Sequence, residues 1–171
     1  WRGSAKIRAP LASPSPRSAR PLMSTAPLAI VLAAGKGTRM KSDLPKVLVP
    51  VCGRPMIRYV VDALHAAGIE RIVVVVGHRS DLVRQELADV QHVEFAEQTE
   101  QLGTGHAVMM CREQLTDQEG PTVIVTGDSP LLQSSSVAAL VDHYRRQQPA
   151  CALGVVRAAD PGGLGRIVRD E

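Results

Sequence analysis

Short β-branched runs recur along this chain at intervals filled by helix-patterned segments, and that alternation constrains the fold more than any other feature. Leu28–Leu32, Arg71–Val76 and residues 92–95, 122–125 and 150–156 are too short for helices and apolar enough to be strands of a buried parallel sheet. Between the first two, Pro55 suits the first turn of a helix, Ile57, Val60, Val61 and Leu64 come next at three- and four-residue spacing, and Gly68 supplies the stop. Ser80 is placed to cap a second helix bearing Leu82, Val83 and Leu87, and Thr104 to cap a third that runs through Ala107, Val108 and Cys111 to Leu115. Val137, Leu140, Val141 and Tyr144 mark the apolar stripe of a fourth. Together these predict an α/β fold: a doubly wound, mostly parallel sheet with right-handed crossovers. Such sheets bind ligands beyond the carboxyl ends of their strands, where strand order reverses.

Three strand ends carry suitable loops. The first reads Ala33-Ala34-Gly35-Lys36-Gly37-Thr38-Arg39-Met40 and continues through Leu44-Pro45-Lys46-Val47-Leu48. Its glycines let backbone N–H groups approach a phosphate, and Lys36, Arg39 and Lys46 bring three cations to it. It is not a Walker A loop, and Met40 fills the third glycine position of a dinucleotide fingerprint. The second loop, Gln98-Thr99-Glu100-Gln101-Leu102-Gly103-Thr104-Gly105-His106, can surround a flat group with amides while Gln98 offers a donor and an acceptor to a base edge. His106 receives no role. The third, Thr126-Gly127-Asp128-Ser129-Pro130-Leu131, sets a carboxylate at a strand tip, where it can hold a magnesium ion bridging phosphates. Each loop taken singly is also compatible with an ordinary polar turn; three at successive strand ends favour a phosphate-bearing ligand.

Composition removes other classes. Aromatic residues make up 2% of the chain, too few for the stacking platforms of single-stranded nucleic-acid binders. The net charge of +3 comes from the amino-terminal segment: Arg2, Lys6, Arg8, Arg17 and Arg20 precede every acidic residue, and the remainder of the chain is slightly acidic. No nucleic-acid partner is expected. Cys52, Cys111 and Cys151 have neither disulfide-framework nor zinc spacing, which fits a reducing cytoplasm, and no apolar run is long enough to span a membrane. Residues 1–27, rich in Ser, Pro, Arg and Ala, are expected to be an unstructured basic tail, with a transit peptide as a second reading and Met23 as a natural start. Residues 28–171 are expected to form the domain.

These loops, with Gly165-Arg166-Ile167, resemble the sugar-phosphate nucleotidyltransferase family, and within it the uridylyltransferase domain of bifunctional N-acetylglucosamine-1-phosphate uridylyltransferases. The Gln98–Ala107 block is the narrower signature. The resemblance implies transfer of UMP from UTP to N-acetylglucosamine 1-phosphate, giving UDP-N-acetylglucosamine and pyrophosphate for bacterial cell-envelope synthesis. It places Leu32, Ala33, Ala34 and Gly35 along the uridine and phosphates, Arg39 beside the pyrophosphate, and Lys46 at the reacting phosphates. Gln98, Gly103 and Thr104 would read uracil, Thr126, Gly127 and Asp128 would border ribose and metal with Asp128 a ligand of Mg2+, and Gly165 would touch the sugar.

Thr126 stands where family members can carry tyrosine. The family's domain continues past Gly165 with further sugar ligands and a second metal ligand, so the chain is expected to be a C-terminally truncated, monomeric nucleotide half of a protein that trimerises at full length. Two alternatives remain at this level: a nucleotidyltransferase for another sugar 1-phosphate, and a UTP-binding module without catalysis.

Overall fold

A computed structural model describes residues 24–35, 37, 44–160, 162, 163, 165, 167 and 168. Strand β1 (Leu28–Leu32) leads, by way of a 3-10 turn at Lys46–Leu48, to a small hairpin of β2 (Pro50–Val51) and β3 (Arg54–Pro55). Next come α1 (Met56–Ala66), β4 (Arg71–Val76), α2 (Ser80–Glu86), β5 (Val93–Glu97), α3 (Thr104–Met109), β6 (Thr122–Thr126) and α4 (Ser134–Gln147). The main sheet has the order β5-β4-β1-β6 and is parallel throughout. Ile30 lies between Val73 on one side and Ile124 on the other. The chain winds outward from β1 through β4 to β5 and then crosses to the far side of β1, so strand order reverses there.

The twofold alternation of β1 and β4 feeds two cores. Ala29 and Val31 of β1 and Ile72, Val74 and Val76 of β4 face a cluster completed by α1, α2 and α4; Leu28, Ile30, Val73 and Val75 face a second cluster with Ala107 and Cys111. With both faces covered, neither strand needs a polar side, which is why both read as unbroken apolar runs. Helix α1 ends as its sequence dictates. Gly68 takes φ +79°, its N–H bonds the His65 carbonyl at 2.9 Å, and the Ile69 N–H bonds the Leu64 carbonyl at 3.1 Å, which closes the helix end with two buried apolar residues in contact range.

Several boundaries differ from expectation. Residues 92–95 and 122–125 were expected as strands; His92 has φ +57° and stays outside, so β5 spans Val93–Glu97, and β6 runs on to Thr126. Ser80 and Thr104 are the first residues of α2 and α3, and the capping positions are Arg79 and Gly103. Helix α3 stops at Met109, where bonds such as Cys111 N–H to the Val108 carbonyl tighten the track into 3-10-like turns; Cys111 and Leu115 still face the second core. Residues 150–156 are coil, with Val155 and Val156 exposed. Gly154 interrupts that run, and among the described residues no ladder lies beyond β6 to receive it. The packed chain also begins upstream of Leu28: the Ser24 N–H bonds the Asp117 carbonyl at 2.8 Å, and the Ser24 carbonyl accepts from Glu119 and Gly120. Residues 24–27, expected in the tail, are therefore fastened to the 117–121 turn.

Candidate active site

The carboxyl ends of β1 and β5 are each tied to β4, and that of β6 to β1, by backbone bonds that outlast the strands. Ala33 N–H donates to the Val75 carbonyl, Gln98 N–H to Val76 and Gly127 N–H to Leu32, at 2.8, 2.8 and 2.9 Å. Two glycines allow this approach. A Cβ on Gly77 would come within 3.0 Å of the Ala34 Cβ, and one on Gly127 within 3.1 Å of Val47 Cγ1. A cavity of about 360 Å³ opens there.

Leu32, Ala34, Gly35, Lys46, Gln98, Gly103, Thr104, Thr126 and Asp128 all line this cavity, so most of the residues selected from sequence meet at one place. Ala33 instead points into the first core, Gly127 supports the wall from behind, and Gly165, in the exposed chain beyond α4, does not line it. Lys36 and Arg39 lie outside the described residues. A larger hollow of about 600 Å³ sits at the amino ends of the strands against Arg71, Glu94 and Gln118, away from the phosphate-type loops.

The charge centre of the cavity is a pair. Lys46 Nζ lies 2.5 Å from Asp128 Oδ2, bringing the end of the first loop to the tip of β6. Lys46 opens the 3-10 turn whose Val47 and Leu48 are buried, which fixes its backbone against the sheet. Gly37, at φ +61°, packs so closely that a Cβ there would sit 2.7 Å from the Lys46 Cβ. The Lys46 ammonium, helped by the Thr126 hydroxyl, holds the Asp128 carboxyl below the usual carboxylate range against the opposing effect of partial burial. Thr126 and Ser129 hydroxyls are 2.7 Å apart.

The opposite wall is the β5–α3 loop. Gln98 is 5% exposed, and its Nε2 reaches the Gly103 carbonyl at 3.1 Å and His106 Nδ1 at 3.0 Å. Gln101, to which the sequence pattern assigns no role, donates to the Ala34 carbonyl at 2.8 Å and pins the loop to the end of β1. His106 does not line the cavity; it stands behind the wall and reaches it through Gln98. A signal was present in its place two residues after Thr104, but a side-chain bond across a closed loop cannot be read from spacing.

Among the described residues no group of three or more His, Cys, Asp or Glu side chains gathers as a metal cage. Magnesium asks for less, since it keeps waters and is held by one or two carboxylates with substrate phosphates. Asp128 supplies one such oxygen donor set at the cavity edge, so the residues present fit a phosphate-assisted ion. No helix among the described residues is long and apolar enough to cross a membrane.

A parallel sheet with glycine-rich, cationic and carboxylate-bearing loops converging at its switch point is the architecture of a nucleotidyltransferase. The chain belongs to the family described as the MobA-like NTP transferase domain, which it matches over residues 29–165. It is 43% identical to the bifunctional protein GlmU of Listeria monocytogenes, 46% to that of Bacillus cytotoxicus and 48% to that of an Exiguobacterium species, each over 143 residues. Those matches cover 84% of this chain and 31% of the relatives, so the chain spans about a third of their length. Among solved structures, the inositol-1-phosphate CTP transferase of T. maritima aligns at 26% identity and TM-score 0.54, covering 63% of this chain and 45% of that one. HddC of Yersinia pseudotuberculosis, complexed with GMP-PN, aligns at 27% and 0.51, covering 59% and 47%. A Methanothermobacter nucleotidyl transferase at 22% and 0.56, covering 70% and 58%, shows the same fold.

Proposed function

We propose that this chain carries the nucleotide half of an N-acetylglucosamine-1-phosphate uridylyltransferase, moving UMP from UTP to the sugar phosphate with release of pyrophosphate. The observation that carries the proposal is the Lys46–Asp128 pair, set between the β1 and β6 ends and facing the Gln98–Thr104 wall across one cavity. The narrow Gln98–Ala107 block and the GlmU relatives support uridine and N-acetylglucosamine 1-phosphate; bacterial cytoplasm, where nucleotide sugars for the envelope are made, is the matching location.

An oxygen of the sugar phosphate attacks the α-phosphorus of UTP, the bond to the β-phosphate oxygen breaks in line, and pyrophosphate leaves with the electron pair. The attacking oxygen is already ionised, so no general base is needed. Two anions must instead be brought together and their charge neutralised. Lys46 does this when its ammonium exchanges Asp128 for phosphate oxygens, which frees Asp128 as the carboxylate that would hold Mg2+. Bound magnesium would supply charge neutralisation on the phosphates. The family resemblance assigns Arg39 to the pyrophosphate, and the Gly35 backbone, which lines the cavity, keeps the phosphate approach open. Gly165 belongs to the proposed sugar side.

Pyrophosphate release from UTP on addition of N-acetylglucosamine 1-phosphate is the test. Release that needs magnesium and disappears in Asp128→Ala is expected. Equal release from CTP would overturn the uridine assignment, equal use of another sugar phosphate would overturn the acceptor, and UTP binding without release would make the chain a binding module.

A further inference from the structure

Resting on the nucleotide reading of the cavity, we propose that His106 is a positioning residue that fixes the Gln98 amide with Oε1 toward the ligand, so that the site selects a base presenting a ring N–H. The orientation of this amide is forced by its surroundings. The group 3.1 Å from the Gly103 carbonyl must be a donor, since a carbonyl only accepts, so that end of Gln98 is Nε2. Its second hydrogen meets His106 Nδ1 at 3.0 Å. Nδ1 must therefore be bare, and the neutral ring of His106 carries its proton on Nε2.

The consequence falls on the other end of the amide. Nε2 spends both hydrogens on the protein, and among the described residues no donor reaches Oε1. Gln98 is nearly buried yet lines the cavity, so an acceptor is what it offers there. The ring nitrogen N3 of uracil carries a hydrogen and suits that acceptor; N3 of cytosine carries a lone pair and faces it unfavourably. With the Gly103 bond alone, a swing or flip of the amide would cost one hydrogen bond and present Nε2 to cytosine. His106 adds the second bond that opposes this. Its backbone is held at the start of α3, and Gln101 keeps the loop against Ala34, so the triangle of Gln98, Gly103 and His106 does not drift with the loop.

The test compares UTP with CTP as kcat/KM in the wild type, His106→Leu and His106→Asn, and reads the imidazole nitrogen-15 spectrum of the unliganded wild type. A wild type that prefers UTP, a His106→Leu protein whose preference falls about tenfold through KM with kcat little changed, and restoration in His106→Asn, whose Oδ1 can accept in place of Nδ1, are expected. A wild type without preference would overturn the uridine reading of the cavity. An unchanged preference in His106→Leu would overturn the positioning role alone. Should His106→Leu fail to fold, the spectrum still decides: a bare Nδ1 is required, and a protonated Nδ1 overturns the proposal whatever the nucleotide result.

Discussion

At Lys46 and Asp128, residues far apart in sequence form a 2.5 Å ion pair that is both a structural contact and a store of charge for a phosphate ligand. Because the Asp128 carboxyl is held low, the pair stabilises the fold above the ordinary aspartate range of about 3.9, and this contribution is lost as pH falls through the lowered folded value. Lys46→Met should move the Asp128 titration upward, as followed by carboxyl carbon-13 shifts; an unmoved titration would mean that the pairing does not govern the carboxylate. The same variant should lose about 100-fold or more in turnover, since a cation aimed at transition-state charge is removed. Gly37→Ala tests the support beneath. Its Cβ would collide with Lys46 at an unfavourable φ, so turnover and melting temperature should both fall, measured by pyrophosphate release beside a thermal melt; an unchanged melt and turnover would mean that Gly37 does not support Lys46.

Among the elements, α1 and α2 are clasped by Arg58, whose Nε lies 2.7 Å from Glu86 Oε1, and whose remaining nitrogens reach Asp89 and the Glu86 carbonyl. Arg58→Ala should lower stability to urea by about 1 kcal/mol, a modest figure because much of the clasp is solvent-screened, and Arg58→Lys should recover only part because ammonium cannot reproduce the forked contact. Elements were legible where their signals are local. Gly68 closes α1 in the fold as the sequence has it, whereas Pro55, expected in the first turn, ends β3 and stands just before Met56; β1 and β4 announce double burial by their composition. Residues 150–156 carry the same composition but need a neighbouring ladder, which no local pattern supplies. At the site, Gly127-Asp128 could be read from strand-end logic. The Gln98–His106 bond and the anchoring of Gln101 to Ala34 could not, because they depend on rotamers that exist only once the loop has closed.

Across the whole molecule, one sheet separates two cores, and the cavity lies where the crossing over β1 leaves the ends of β1, β5 and β6 facing one another. The cysteines report on this layout. Cys52 and Cys151 are exposed, while Cys111 is in the second core with its thiol pushed up to about 11 by burial. A disulfide reagent at neutral pH should modify two thiols in the folded chain and the third only on unfolding; three fast thiols would show that the α3 face is open. The central claim is that the three strand ends make one nucleotide site governed by Lys46. Calorimetric titration of UTP in the presence of magnesium, into the wild-type chain and into Lys46→Ala, tests it most directly. Saturable binding to a single site, weakened at least about tenfold in the variant, is predicted. Equal binding by both chains, or no saturable binding by the wild type, would contradict it.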